Sequence, residues 1–343
     1  MIRTYLRWLA LPVSALWYGV LWMRNRLYDK GWLKATQPDD VLTLVVGNLN
    51  LGGTGKTPAT EWLIQQLHHQ YRLGVLSRGY GRKTAGFRWI DNQSTADQVG
   101  DEPLQMFQKC HTMARFAVDG NRLRGIRAMK KAQPDLELIL LDDAFQHRAL
   151  RADYYLLLTP YELPFWEDFL LPVGGLRDIH ASARRADMIW LTKAPQLGAA
   201  LPQPFDKPIF ISTIGYLPPK PVFGEATNWS EVEGIFGLCG IAKPSYFEQH
   251  LRALGMVVRF TALPDHRDFT LQDLMAATDS FDNFAHRKAA LCITEKDWTK
   301  LKPLVDAHQP SLNIWVIPIE MQLNQPGECL ADIVRKLERK TKK

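Results

Sequence analysis

The strongest constraint on the fold is a regular alternation between short apolar runs and helix-like segments. Segments such as 57–70 and 121–132 have helical character and separate several of the apolar runs. The runs themselves have the length and composition of buried strands, and they lie at 41–46, 72–77, 136–141, 154–158, 187–192 and 208–213. Buried strands joined by helices favour a parallel sheet with helices on both faces. The sequence therefore predicts an α/β protein with a doubly wound parallel sheet.

A length of 343 residues is enough for two domains. The stretch GYLPPKPVFGEATNWS is rich in Pro and Gly and is typical of a linker. Beyond it, strand-like and helix-like runs alternate again on a smaller scale. We therefore predict five parts: an N-terminal helix over 1–34, a core over 35–215, a linker over 216–230, a smaller α/β domain over 231–320, and a C-terminal helix with a basic tail over 321–343.

The N-terminal segment Trp8–Met23 contains sixteen residues without a charge. As a helix it would span roughly 24 Å at ~1.5 Å per residue, which is short of the ~30 Å hydrocarbon core of a bilayer. Its tryptophans and tyrosine prefer the headgroup level, and basic residues flank it on both sides. These features predict a helix lying in, or dipping into, a membrane interface. A secretory signal peptide and a buried core helix are the alternatives.

The net charge of +6 is concentrated at the two ends of the chain. Residues 1–34 and 334–343 each hold six basic residues and one acidic residue, which leaves a negative balance in between. An acidic body with two basic ends favours an anionic lipid surface over nucleic acid as a partner. The four cysteines form no C-x-x-C pair, which argues against a zinc ribbon and suits a reducing compartment.

A glycine-rich stretch directly follows the first predicted strand and precedes a helix. It matches the phosphate-binding pattern G-x-x-x-x-G-K-[ST] except at its first position, and it consists of Asn50, Leu51, Gly52, Gly53, Thr54, Gly55, Lys56 and Thr57. In such a turn the backbone N–H groups face phosphate oxygens. Lys56 would contact the β- and γ-phosphates of ATP, and the Thr57 hydroxyl would bind Mg²⁺.

Three further motifs place charged side chains after predicted strands or before a helix. In LELILLDDAFQH, a buried strand ends in Asp142 and Asp143, and adjacent buried carboxylates call for a cation such as Mg²⁺. In SRGYGR, Arg78 or Arg82 faces phosphate, or both arginines are solvated. In VGDEP, Asp101 and Glu102 either take part in chemistry or cap the helix that Pro103 opens.

Taken in order, the motifs VGNLNLGGTGKTP, SRGYGR, GDEP, DDAFQHR, LPVGGLRD, RADMIWLTK, PDHRDF and TEKDW resemble the tetraacyldisaccharide 4′-kinases, also called lipid A 4′-kinases. The resemblance extends from the N-terminal helix to about residue 300. It implies transfer of the ATP γ-phosphate to the 4′-hydroxyl of a tetraacylated glucosamine disaccharide 1-phosphate. It also implies a peripheral or monotopic location at the cytoplasmic face of the Gram-negative inner membrane, with no nucleic acid and no stable protein partner.

The resemblance also implies roles for individual side chains. Asp101 matches the catalytic carboxylate, and His266 matches its partner from the second domain. The metal site would include Glu102, Asp142 and Asp143, with Gln146 beside it, and phosphate groups would lie near Arg122 and Arg177. Two departures from the usual family pattern, Ala144-Phe145 and Gly175-Leu176, affect loop shape rather than reactive groups.

Three rival functions remain open at this stage. A deviant-Walker membrane ATPase needs a lysine where this chain has Leu51. A P-loop GTPase needs N/T-K-x-D, but TKAP has Pro195 at the last position. A membrane-binding module without catalysis would leave Asp142, Asp143 and the GDEP motif without a purpose.

Overall fold

The chain forms two compact units, the first composed of Met1–Ile214 and Met321–Lys343 and the second of Gly215–Glu320. The computed structural model describes residues 8–200, 205–224, 228–241, 243–264, 267, 269–282 and 288–341. Because the chain leaves unit 1 and later returns to it, unit 2 is an insertion in the sequence of unit 1. The C-terminal part 321–343, expected to be separate, clusters with unit 1.

Unit 1 contains most of the predicted strands and helices. In chain order its elements are α1 (Leu11–Asp29), β1 (Leu42–Asn48), α2 (Lys56–Leu67), β2 (Leu73–Ser77), β3 (Arg88–Trp89), α3 (Ala96–Val99), α4 (Asp101–Cys110), β4 (Ala114–Val118), α5 (Arg122–Ala132), β5 (Leu138–Asp142), β6 (Tyr154–Pro160), a 3₁₀ helix (His180–Arg185), β7 (Met188–Thr192), β8 (Ile209–Tyr216), β14 (Ile319–Leu323) and α9 (Pro326–Thr341).

The large sheet has the strand order β14-β8-β7-β6-β1-β5-β2-β4-β3. Strand β1 lies near the centre and pairs in parallel with β5 on one side and β6 on the other. Leu44 of β1 packs with Leu63 of α2 in one core cluster, whereas Val45 of β1 packs with Ile126 of α5 in the other. Successive residues of a strand point to opposite faces, so both faces are buried. The predicted α/β class is confirmed.

Unit 2 has a smaller sheet with the strand order β11-β10-β12-β13-β9. Its elements are β9 (Lys220–Phe223), a 3₁₀ helix (Trp229–Glu231), β10 (Gly234–Cys239), α6 (Pro244–Ala253), β11 (Val257–Ala262), α7 (Leu271–Asp282), β12 (Ala289–Thr294), α8 (Glu295–His308) and β13 (Ile314–Ile317). The expectation that 216–230 is only a linker is wrong, because β9 pairs antiparallel with β13. An edge strand tolerates proline, so Pro221 did not prevent pairing.

Helix α1 has an unusual distribution of polarity. Its buried residues include the polar Ser14 and Asn25 together with Leu21, and their spacing places all three on one face of the helix. Large apolar side chains are exposed elsewhere on the helix, namely Leu11, Val13, Leu16, Trp17, Tyr18, Val20, Trp22 and Met23. Among the residues that the structure describes, no helix is both long and apolar enough to cross a bilayer.

Candidate active site

The order of the strands brings the predicted functional loops to one edge of the large sheet. β1, β5 and β2 are consecutive and parallel. Parallel strands end at the same edge, and ligands of open α/β sheets bind at that edge. The glycine turn after β1, the paired aspartates at the end of β5 and the SRGYGR loop after β2 therefore lie side by side.

The glycine turn is held by the buried end of β1. Gly52 and Gly55 have φ angles of 89° and 80°, a left-handed conformation that glycine adopts without steric cost. Asn48 is fully buried, and its Nδ2 donates to the carbonyl of Asn50 at 2.8 Å and to Oγ1 of Thr54 at 2.6 Å. The Thr192 hydroxyl donates to the carbonyl of Thr54 at 2.8 Å. The turn is thus fixed by side chains from β1 and β7.

Lys56 and Thr57 begin α2 immediately after the turn, and both are partly exposed. The first backbone N–H groups of a helix have no partner inside the helix, so this end attracts anions. Gly53 has no side chain that could cover the turn, and the side chain of Leu51 is 54% exposed. Phosphate oxygens can therefore reach the backbone at this point.

Among the carboxylates described at this edge, Asp142 has the most strongly shifted pKa. Its burial, together with the nearby charges of Glu102 and Asp143, raises its pKa to about 7, although Lys56 and Arg122 oppose the shift. The Ser77 hydroxyl donates to its Oδ2 at 3.2 Å, while Oδ1 is buried without a hydrogen-bond partner. A buried oxygen left in this way is suited to a cation.

Asp143 is bound by Arg177. It has a φ of 46°, and its Oδ2 accepts from Nη1 of Arg177 at 3.2 Å, while its Oδ1 accepts from Nη2. Burial would raise the pKa of Asp143, but the hydrogen bond from Arg177 and the charge of Lys56 outweigh burial and hold the pKa below its usual value. Arg177 also donates to Oδ1 of Asn48. One guanidinium therefore connects the end of β1 with the loop after β5.

Arg122 and Gln146 bind backbone carbonyls rather than facing solvent. Arg122 is 2% exposed and donates to the carbonyls of Asp119 at 2.6 Å and Asp142 at 2.9 Å. Its burial lowers its pKa to about 10, so it stays protonated at neutral pH. Gln146 Nε2 donates to the carbonyl of Asn48 at 2.6 Å. Both side chains therefore support the loops of the site.

The SRGYGR and VGDEP loops pack closely against each other. Gly100 has a φ of 93°, and a Cβ there would lie 2.9 Å from the carbonyl oxygen of Tyr80. Asp101 and Glu102 follow as the first residues of α4, and the charge of Glu102 acts on Asp142. The loop contact thus brings GDEP next to the aspartates. Arg78 is exposed.

His266 lies outside the described residues. Among the residues that are described, no group of three or more His, Cys, Asp and Glu side chains is arranged as a metal site. The structure thus brings Lys56, Glu102, Asp142 and Asp143 to one edge without forming a complete cage of protein ligands.

Three supporting side chains have no role assigned from the sequence, although Asn48 and Ser77 lie within the motifs VGNLNLGGTGKTP and SRGYGR. They are Asn48, Ser77 and Asp168, and Asp168 accepts from Asn50 Nδ2 at 3.3 Å and from the backbone N–H of Gly175 at 3.0 Å. Asn48 and Ser77 each end an apolar strand, a position at which a polar residue signals a ligand or a network. Asp168 gives no such signal, because it ends no strand and its partner Asn50 lies 118 positions away in the sequence.

Fold and site together define a class, that of α/β proteins in which a glycine turn, its lysine and an acidic strand end meet at the edge of a parallel sheet. Residues 6–338 match the family model described as Tetraacyldisaccharide-1-P 4′-kinase (LpxK). The chain belongs to this family.

Individual relatives agree over almost the whole chain. The tetraacyldisaccharide 4′-kinase of Cytophaga hutchinsonii is 37% identical over 96% of this chain and 95% of its own length. That of Flavobacterium johnsoniae is 38% identical over 87% of this chain and 88% of its own. A crystal structure of LpxK from Aquifex aeolicus in complex with ATP superposes with a TM-score of 0.78 and 28% identity, covering 97% of this chain and 99% of that chain.

Proposed function

We propose that this chain is an ATP-dependent tetraacyldisaccharide 4′-kinase, which transfers the γ-phosphate to the 4′-hydroxyl of a tetraacylated glucosamine disaccharide 1-phosphate in lipid A biosynthesis. The observation that carries the proposal is the meeting of Lys56 with Asp142 and Asp143 at one sheet edge in a member of this family. The ATP-bound relative supports ATP as the donor. Family membership disfavours the deviant-Walker ATPase and the GTPase.

ATP would bind along the glycine turn from Asn50 to Thr57. Backbone N–H groups and the N-terminal end of α2 would face its phosphates, and Lys56 would neutralise the β- and γ-phosphates. The rigid support from Asn48 and Thr192 keeps these donors in place before the nucleotide arrives. Catalysis of phosphoryl transfer depends mainly on such positioning and on electrostatics.

Mg²⁺ fits the acidic end of β5. The orphaned Oδ1 of Asp142 supports this fit, because a cation would satisfy the oxygen and favour its ionised form. Thr57, Glu102 and Asp143 would be the other contributors. When bound, the ion would neutralise charge on the transferred phosphoryl group.

The chain's own acid–base group for the sugar hydroxyl would be Asp101. A hydroxyl is a weak nucleophile and needs a base within hydrogen-bond reach. We propose that His266 orients this carboxylate, a pairing taken from the family resemblance. Arg177 and Arg78 would meet phosphate groups, whereas Arg122 and Gln146 would keep the loops in shape.

Helix α1 would bring the site to the lipid substrate. Its exposed apolar side chains and buried polar ones support a monotopic position in an anionic membrane surface. The proposed location is the cytoplasmic face of the bacterial inner membrane, where ATP is present. The acylated disaccharide 1-phosphate would then be reached without leaving the bilayer.

Incubation of the purified protein with labelled ATP and the acylated disaccharide 1-phosphate tests the proposal. We expect a product that is phosphorylated at the 4′ position, and we expect Lys56→Ala and Thr57→Ala to abolish it while the fold stays intact. Lys131→Ala, an exposed lysine on α5, is the matched control and should keep full activity. Near-normal turnover by folded Lys56→Ala would remove the assignment of the glycine turn, and GTP-dependent activity without a lipid product would favour the rivals.

A further inference from the structure

Asp178 is a fully buried carboxylate next to Arg177 in the sequence, and none of the roles proposed above involves it. Its Oδ1 accepts from Nδ2 of Asn25 on α1 at 3.1 Å. Its Oδ2 lies 3.5 Å from Nη2 of Arg24, also on α1, and 3.9 Å from Nη2 of Arg185. A buried charge is tolerated only where such partners compensate it. Two of these three side-chain partners come from α1, and the backbone N–H of Ile179 also donates to Oδ1, at 2.9 Å.

Arg177, which directly precedes Asp178, connects Asp178 with the candidate active site. The backbone N–H of Arg177 donates to the carbonyl of Leu49 at 2.8 Å, and its guanidinium binds Asp143 and Asn48. Asp178 and Arg177 share one peptide unit, so a shift of the first moves the second. The contacts between α1 and Asp178 therefore help to determine the position in which Arg177 binds Asp143.

A second connection runs from the same cluster to the loop that carries Asp143. Arg185 Nη1 donates to the carbonyl of Phe145 at 2.8 Å, and its guanidinium lies 4.3 Å from the centre of the Phe145 ring. Arg148, at the end of this loop, donates to Asp29 of α1 at 2.6 Å. Both functional loops are thus attached to α1 by polar contacts.

We propose that Asp178 is a positioning residue, which ties α1 to Arg177 and the 143–148 loop and so fixes Arg177 and Asp143 for phosphoryl transfer. This inference rests on the proposed function and deepens it. Asp178 acts through Arg177 and does not itself touch the substrate. The opposing interpretation is that Asp178 only stabilises the fold.

A double-mutant cycle separates the two interpretations. We compare full-length wild type, Asp178→Asn, Arg177→Ala and the double variant, measuring kcat and the KM for ATP with the lipid acceptor in mixed micelles. Asp178→Asn should lower kcat roughly 10- to 100-fold, the range for supporting partners of site ligands, with the KM for ATP unchanged. The double variant should lose no more than Arg177→Ala alone, because no guanidinium then remains to be positioned. A loss equal to the product of the single losses overturns the inference.

Ser14→Ala is the matched control. It removes another buried hydrogen bond of α1, the one that Ser14 Oγ donates to the carbonyl of Leu170 at 3.2 Å, but it leaves Asp178 and its partners in place. Its kcat should equal that of wild type. An equal loss of kcat in Ser14→Ala would mean that any loosening of α1 slows turnover, and the specific role of Asp178 would be refuted.

Asn25→Ala replaces Asp178→Asn if the latter does not fold. It removes the hydrogen bond from Asn25 to Oδ1 but leaves the carboxylate the backbone N–H of Ile179 and its two guanidinium neighbours. The same non-additivity with Arg177→Ala is expected. Wild-type turnover in a folded Asp178→Asn, or in a folded Asn25→Ala where Asp178→Asn does not fold, refutes this inference alone, because the wild-type kinase activity stands. A wild-type protein without kinase activity overturns the proposed function, and this inference with it.

Discussion

Gly47, the second-last residue of the strand that leads to the glycine turn, offers a test of how strongly turnover depends on the exact position of the site residues. It has no side chain, and the loop after β5 packs directly over it. A Cβ at this position would lie 2.6 Å from Cβ of Phe145 and 3.0 Å from its backbone nitrogen. Gly47→Ala therefore pushes on the backbone two residues after Asp143 rather than on a flexible side chain.

The size of the displacement follows from these distances. Cβ of Phe145 is about 0.8 Å nearer than the 3.4 Å at which ordinary contact begins. Asp143 and Gln146 must move with it, and a misplacement of ~1 Å at a reacting centre can cost about 10²-fold in rate. Overpacking of this kind also costs roughly 1–3 kcal/mol of unfolding free energy. We expect kcat to fall by roughly 10- to 100-fold in a protein that still folds.

Gly74→Ala is the matched control for this experiment. It also lies in a buried strand of the large sheet, and a Cβ there would come within 2.7 Å of Cε of Met129. A methionine end moves easily, and no functional loop is displaced. The assay is kcat for lipid phosphorylation alongside urea unfolding of both variants. Wild-type kcat in a folded Gly47→Ala, or an equal loss in Gly74→Ala, would refute the reasoning.

Three further predictions concern other parts of the molecule. Asp101→Ala and His266→Ala should each lower kcat by roughly 10²–10⁴-fold, the range for a general base, and the double variant should lose far less than the product; fully multiplicative losses contradict the pairing. Deletion of residues 1–30 should abolish sedimentation with anionic vesicles, and salt should weaken wild-type binding only in part; equal sedimentation would mean that α1 is not the membrane contact. Arg122→Ala should lower the unfolding free energy by roughly 3 kcal/mol, because each buried carbonyl left without a partner costs about 1–3 kcal/mol. The control, Arg127→Ala at an exposed position, should lower it by less than about 0.5 kcal/mol. Similar urea midpoints for the two variants would contradict a supporting role of Arg122.

The elements that the sequence predicted best are the buried strands of the large sheet. β1 and β5 are continuous apolar runs, and burial on both faces requires such a pattern. β4 was missed because Arg115 interrupts its run, although only that side chain is exposed there. β9 was missed because its proline lies on an edge strand, where no ladder hydrogen bond is lost. In both cases the local sequence pattern does not show where the strand lies in its sheet.

The residues of the candidate site also fall into two groups, those that a local motif identifies and those that only the fold identifies. Local motifs identify the side chains that are proposed to face a ligand, such as Lys56, since the spacing of such a motif is typical of contact with one nucleotide. Supporting contacts join distant segments: Asn50 meets Asp168 across 118 positions, and Arg177 meets Asn48 across 129. Only the fold determines such pairs. For this reason the supporting role of Arg122 and the buried position of Asp178 were not visible in the sequence.

The insertion of unit 2 within the sequence of unit 1 has a consequence for protein synthesis. Cys329, Ile333 and Leu337 of α9 lie in the same core cluster as Leu44 of β1. The ribosome delivers β1 before α9, with all of unit 2 in between. Unit 2 is continuous in sequence and can fold as it emerges, whereas part of the core of unit 1 stays open until α9 has emerged. A nascent chain that stalls before Met321 therefore leaves the ribosome with one folded unit and one apolar surface for chaperones to bind.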